Sequence, residues 1–233
     1  MSYLLLLALV LVAGFSCIQA SLPMSKRSPS QTFLLFGLVF IAIGLASELV
    51  LGFALDETAA KIFYWVRGSL VLAWLGQSLL LFHFPNDPRM RWLSMAIVVA
   101  SVGLLVLVFL SHITAAVDWY SPAKPIYGQI HDLLATNRPT RWGSLALNLY
   151  GLLILVAGPV YLLFSKPLKR KLSHRGPPLL IAFGAIMLFS PLYLTSSIPN
   201  FSFYLVELFG PVFIFIGLEN LTSLSFKPSG KTR

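Results

Sequence analysis

Charge is what this sequence lacks. Only 11% of its 233 residues are Asp, Glu, Lys or Arg, against about 25% in an ordinary soluble domain. Hydrophobic residues make up 57% and the mean hydropathy is +0.82. So few charges cannot cover the surface of a water-soluble fold of this size, and the solvent the sequence implies is lipid. Acidic side chains are scarcest, eight against seventeen Lys and Arg, which leaves a formal charge of +9. That excess does not point to nucleic acid, because the basic residues sit between apolar runs instead of gathering on one face of a soluble fold. Anionic lipid headgroups are the partner such a pattern implies. A single cysteine, Cys17, excludes an internal disulfide. There is no phosphate-cradling glycine loop, nucleophile elbow or metalloprotease motif, so nothing calls for an enzyme, a cofactor or a metal.

What the chain has instead is long apolar runs. A membrane helix needs ~20 mostly apolar residues to cross a ~30 Å hydrocarbon core. Seven segments qualify, at residues 3–20, 33–53, 62–82, 93–114, 144–164, 178–197 and 201–220. The fold expected is therefore all-α: one domain over residues 1–233, a polytopic transmembrane bundle of seven helices. Lys26, Arg27, Arg89, Arg91, Lys166, Lys169, Arg170, Lys171, Arg175, Lys227, Lys231 and Arg233 fall after helices 1, 3, 5 and 7. Only Lys61, Lys124, Arg138 and Arg141 fall after helices 2, 4 and 6. Positive charge stays inside, so the amino terminus is expected outside and the carboxyl terminus inside. The first run has no basic residue ahead of it, and Lys26 and Arg27 follow it. It reads as a retained helix rather than a signal peptide, although Gly14-Phe15-Ser16-Cys17 loosely resembles a lipoprotein cleavage site.

Two loops stand out. Residues 166–175 hold Lys166, Lys169, Arg170, Lys171 and Arg175 beside a span, an arrangement suited to anionic headgroups. Residues 115–143 form a long outer loop, with a short amphipathic helix expected near residues 127–136 and Trp119, Tyr120, Tyr127 and Trp142 as an interfacial aromatic belt. A basic tail, residues 221–233, closes the chain.

Ionisable side chains within spans are costly, so each is a functional candidate. Four qualify: Glu48, Arg67, His112 and Glu207. Counting ~1.5 Å per residue from the outer ends of their helices puts Glu48, Arg67 and Glu207 ~8–9 Å deep, in one layer. Glu48 and Arg67 lie on helices joined by a short loop and are well placed to pair. Arg67 shares a face with Tyr64, Trp74 and Gln77, at spacings of three, seven and ten residues. Tyr204 accompanies Glu207, and Asn148, Ser190 and Tyr193 can add hydrogen bonds near the same level. An outward-facing polar pocket built from Glu48, Arg67, Glu207, Tyr64, Trp74, Gln77, Asn148 and Tyr204 is one reading. The plainer one is a buried pair that fixes helix register, with Arg67 reaching the headgroups and Glu207 protonated.

Gly158-Pro159, Ser190-Pro191 and Gly210-Pro211 lie inside apolar runs, where each proline withholds a backbone donor and kinks its helix. The seventh run has no lysine, which excludes a retinal Schiff base there. His112, His131, Asp132 and Glu207 show no metal-ligand spacing on one helix face.

Two stretches carry a resemblance. Phe-Tyr-Trp-Val-Arg-Gly-Ser-Leu-Val-Leu-Ala-Trp-Leu-Gly-Gln, residues 63–77, resembles the third helix of uncharacterised seven-helix membrane proteins of actinobacteria and Chloroflexi-like bacteria. Leu-Asn-Leu-Tyr-Gly, residues 147–151, with Gly158 and Tyr161 beyond it, is similar to their fifth helix. The resemblance implies a multi-pass protein of a bacterial inner membrane and carries no activity. The expectation is a non-enzymatic bundle that binds a small ligand or a protein partner in the membrane through its outer polar layer. The alternatives are a small-solute or proton-coupled transporter and an accessory subunit of a larger complex.

Overall fold

In the computed structural model the described residues are 2–21, 23, 27–53, 56–111, 138–164, 176–193 and 200–225. They form seven helices and, among them, no strand. The helices are α1 (Ser2–Ala20), α2 (Pro29–Phe53), α3 (Glu57–His83), α4 (Pro88–Leu110), α5 (Arg138–Phe164), α6 (Gly176–Tyr193) and α7 (Asn200–Ser225).

Most of these helices begin earlier than the apolar runs do, because the polar residues at their ends supply the starts. Asp87 accepts from the Arg89 N–H at 2.9 Å and is followed by Pro88, a good first helical residue whose missing N–H would have had no partner. Asp56 accepts from Ala59 N–H at 2.6 Å and starts α3 at Glu57, five residues before the apolar run. Pro29 and Pro139 stand first and second in α2 and α5. Two expected boundaries therefore change. Residues 138–143 belong to α5 and not to a loop, and α4 ends at Leu110, where Ser111 turns extended (ψ 131°). Residues 112–137, with His112, His131, Asp132 and the expected short helix, lie outside the described residues, as do Lys166, Lys169, Arg170, Lys171 and Arg175.

Four helices, α2 to α5, are long and apolar enough to cross a bilayer, which supports a membrane protein. Shorter apolar stretches cover Leu6–Ala20, Gly176–Ser190 and Leu208–Leu221. Neighbouring helices run α1, α2, α3, α5, α6, α7 and back to α1, with α4 standing outside against α3 and α5. The most buried of the four is α3, and it is also the least apolar. By contrast α4 buries only Ile97, Ser101, Leu104 and Val108, a single stripe at helical spacing. Its other faces expose Trp92, Val99, Val102 and Leu110. An apolar helix left uncovered on most sides needs an apolar surrounding.

Small residues set the closest approaches. A Cβ on Gly151 of α5 would stand 2.1 Å from the Leu72 carbonyl carbon of α3, and one on Gly76 would stand 3.1 Å from Gly151 Cα. A Cβ on Gly184 of α6 would meet Gly210 O of α7 at 2.6 Å. Lipid gives helices no hydrophobic reason to associate, so backbone approaches of this kind, with hydrogen bonds, hold a bundle together. Lys61 adds one more tie: its Nζ pairs with Glu57 at 2.7 Å and donates to Phe109 O at 3.3 Å, joining the start of α3 to the end of α4.

Candidate functional site

The end of the bundle next to the α2–α3 connection holds a buried ion pair. Glu48, five residues before the end of α2, is fully buried, and its Oε2 lies 3.9 Å from Arg67 Nη1 of α3. At that distance the contact is a charge pair and not a close bidentate fork. Each of the two groups also takes part in a further interaction. Space for Arg67 comes from Gly44, one turn before Glu48, where a Cβ would stand 3.0 Å from Arg67 Cβ.

Arg67 does not sit on an ordinary helix. Residues Val66–Leu70 form a π-turn, in which the Val71 N–H bonds back five residues to Val66 O. A π-turn accommodates one extra residue in the helix and disturbs the carbonyl ladder beside it. The Gly68 carbonyl, next in sequence to Arg67, accepts two side-chain donors from α5, Asn148 Nδ2 at 2.6 Å and Ser144 Oγ at 2.7 Å. Ser69 Oγ donates to Tyr64 O at 3.2 Å inside the same segment. Thr140, Ser144 and Asn148 continue into Gly151 and Leu155 as one buried stripe of α5. Along that stripe, Asn148 Oδ1 and Thr140 Oγ1 are buried and receive no hydrogen bond among the described residues.

The π-turn also changes which residues belong together. The spacing that put Trp74 and Gln77 on the face of Arg67 assumes an unbroken 3.6-residue repeat, and the extra residue breaks it. Both side chains turn to α4. Trp74 Nε1 donates to Ser101 Oγ at 3.1 Å, and Gln77 Nε2 donates to Ser94 Oγ at 2.7 Å and to Met90 O at 3.3 Å. Tyr150 of α5 donates to Gln77 Oε1, so the Gln77 amide is used at both ends. Phe33, Phe36 and Phe40 of α2 enclose the Trp74 ring. Tyr64, one turn before Arg67, is buried. Ser190 bonds within its own helix, to Met187 O at 3.0 Å. The side chains of Tyr193, Tyr204 and Glu207 lie outside the described residues, although all three fall on α6 or α7.

The structure thus brings together Glu48, Arg67 and, through the Gly68 carbonyl, Asn148. Ser144 was not legible as part of this group from its residue type, since serines are common in membrane helices. Its signal is positional: Thr140, Ser144, Asn148 and Gly151 recur at four, four and three residues, a polar stripe on an otherwise apolar helix.

No family model, curated protein or solved structure matches this chain. Its chemistry must be read from its own residues. Among the described residues no three His, Cys, Asp or Glu side chains gather as a metal site would require. The group around Arg67 contains no nucleophile set beside a base. It consists of one carboxylate, one guanidinium, a π-turn, and two buried oxygen atoms that accept no hydrogen bond among the described residues.

Away from it, polar groups are paired across helices. Ser30 Oγ donates to Ser78 O at 2.8 Å while Ser78 Oγ donates to Ser30 O at 2.9 Å. Gln19 of α1 donates to Glu219 of α7.

Proposed function

We propose that this chain is a seven-span protein of a bacterial inner membrane, amino terminus outside and carboxyl terminus inside, that binds a small ligand or a membrane partner without chemical turnover. Its binding layer lies in the outer half of the bundle. Glu48 and Arg67 form the fixed charge pair of that layer, with Asn148 and Tyr64 beside them, and Glu207 is the carboxylate that titrates or takes a cation. The basic residues 166–175 rest on anionic headgroups at the inner face. All seven apolar helices cross, those of α1, α6 and α7 spanning with shorter apolar stretches.

The observation that supports this reading is the buried pairing of Glu48 on α2 with Arg67, which the π-turn of α3 carries. Each is expensive inside a bilayer, and π-turns occur frequently at functional sites. The test is a thermal-stability screen of the purified protein in lipid nanodiscs against a panel of amines, polyols, organic acids and inorganic cations. A ligand of this layer raises Tm in wild-type protein and not in Glu48→Gln or Arg67→Gln. Stabilisation that survives both substitutions places the ligand elsewhere.

A proton-coupled or small-solute transporter is the second reading, favoured by Pro159 and Pro211 inside α5 and α7. A transporter needs water from both sides. Against that, Gln77, Ser94 and Tyr150 satisfy one another, as do Ser30 and Ser78, toward the opposite end of α3. Solute or proton flux into proteoliposomes that disappears in Glu207→Gln reverses the ranking. The third, an accessory subunit, is favoured by the uncovered α4, and partners that co-purify from native membranes support it.

A further inference from the structure

We infer that Asn148, assisted by Ser144, is the positioning residue of the Glu48–Arg67 pair, acting from α5 through the π-turn that carries Arg67. The inference deepens the binding reading and rests on it for its functional meaning, but its geometry stands by itself.

A π-turn is a strained solution that persists where its surroundings demand it. In lipid a carbonyl displaced from the helical ladder has no water to turn to, so another protein group must satisfy it. Two donors of α5 converge on the Gly68 carbonyl, at 2.6 and 2.7 Å, both within strong hydrogen-bond range. Gly68 directly follows Arg67. The opposite side of Arg67 is closed by Gly44, whose lack of a Cβ admits the arginine stem and nothing larger. Arg67 is thus held between α2 on one side and, through one peptide unit, α5 on the other.

The consequence is mechanical. Without its donors the π-turn gains by annealing to an α-helix, which turns one flank relative to the other by one residue, about 100°. Arg67 then swings off Glu48 and leaves a carboxylate buried without this partner. Asn148 is only 2% exposed, and among the described residues its amide is used at one end, Nδ2 on Gly68 O, while Oδ1 receives no hydrogen bond. A packing residue at that place would be apolar. The burial of a half-used amide is accounted for by the Gly68 contact.

The experiment is a double-mutant cycle in nanodiscs without added ligand, read as Tm, together with the carbonyl carbon-13 shift of Gly68 by solid-state NMR. Asn148→Leu keeps the bulk and removes the donor. Arg67→Gln lowers Tm in the wild-type background, and in Asn148→Leu that further loss falls to less than half, because the pair is already parted. Gln77→Leu is the control: it removes an equally buried clasp on the other side of the π-turn, and its loss adds to that of Arg67→Gln. The Gly68 carbon signal moves upfield in Asn148→Leu and stays in Gln77→Leu. If Asn148→Leu does not fold, Ser144→Ala and Asn148→Ser supply the graded series, each weakening the coupling in part. Additive losses of Asn148 and Arg67 substitutions, or an unmoved Gly68 signal, overturn the inference. Since no ligand enters, a positive cycle with a negative ligand screen removes the binding reading and keeps the positioning.

Discussion

A fully buried carboxylate 3.9 Å from a guanidinium is weak evidence of stability, because both charges have left water. Breaking the pair from one side is another matter, since a buried charge then loses this partner. Glu48→Gln and Arg67→Gln should each lower stability, and charge reversals should do so more severely, on the order of 3–5 kcal/mol. Exchanging the two charges, Glu48→Arg with Arg67→Glu, should recover much of the loss measured by thermal unfolding in nanodiscs. A double variant no better than the worse single one would show that the two groups do not depend on each other. The pairing was legible because the two helices are joined by a short connection, although the depth count behind it started from residue 62 and α3 begins at Glu57. The faces of Trp74 and Gln77 were not legible, because a π-turn leaves no mark in the apolar pattern.

At the scale of the element, ends and close approaches matter most. The helix starts were written in the sequence as Asp87-Pro88 and Asp56 ahead of Glu57, but apolar length alone hides them, since a helix extends beyond the hydrocarbon into polar residues. Glycines are the harder case. Gly151 and Gly103 look alike in the sequence, each within a long apolar helix, yet one touches the α3 backbone and the other touches nothing within 4 Å. Gly151→Ala should therefore force α3 and α5 apart and cost about 1–3 kcal/mol or more. Gly103→Ala should be neutral or gain a few tenths from helix propensity, roughly up to 1 kcal/mol. Chemical unfolding of the two variants side by side separates them. Equal effects would mean that the α3–α5 seam is looser than 2.1 Å implies.

For the whole molecule, the composition that pointed to lipid agrees with four helices long and apolar enough to cross a bilayer, and the count of apolar runs matches the seven helices among the described residues. Orientation in the bilayer is a different kind of question, because many of the charges that decide it lie outside the described residues. It can be read directly. With Cys17 replaced by Ser, a cysteine at Lys124 should react with a membrane-impermeant maleimide on intact cells, and one at Lys166 only after the membrane is opened. The reverse pattern would invert the topology and put the Glu48–Arg67 layer on the inner side. Beyond the α2–α3 pair, helix neighbours were not legible. The position of α4 outside the ring depends on which faces of α3 carry Trp74 and Gln77, and those hydrogen bonds exist only in three dimensions.

The central helix α3 is the least apolar of the four long spans, and its polar groups find their partners on three different helices: Glu48 before it in the chain, Ser94 and Ser101 after it on α4, Ser144 and Asn148 later still on α5. If α3 crosses a bilayer, it would reach the lipid before most of the groups that satisfy it have been made. Of those three helices only α2 precedes it, offering Glu48 to Arg67 and Ser30 to Ser78. In a chain inserted helix by helix, Glu48 would therefore meet Arg67 before the donors of α4 and α5 exist.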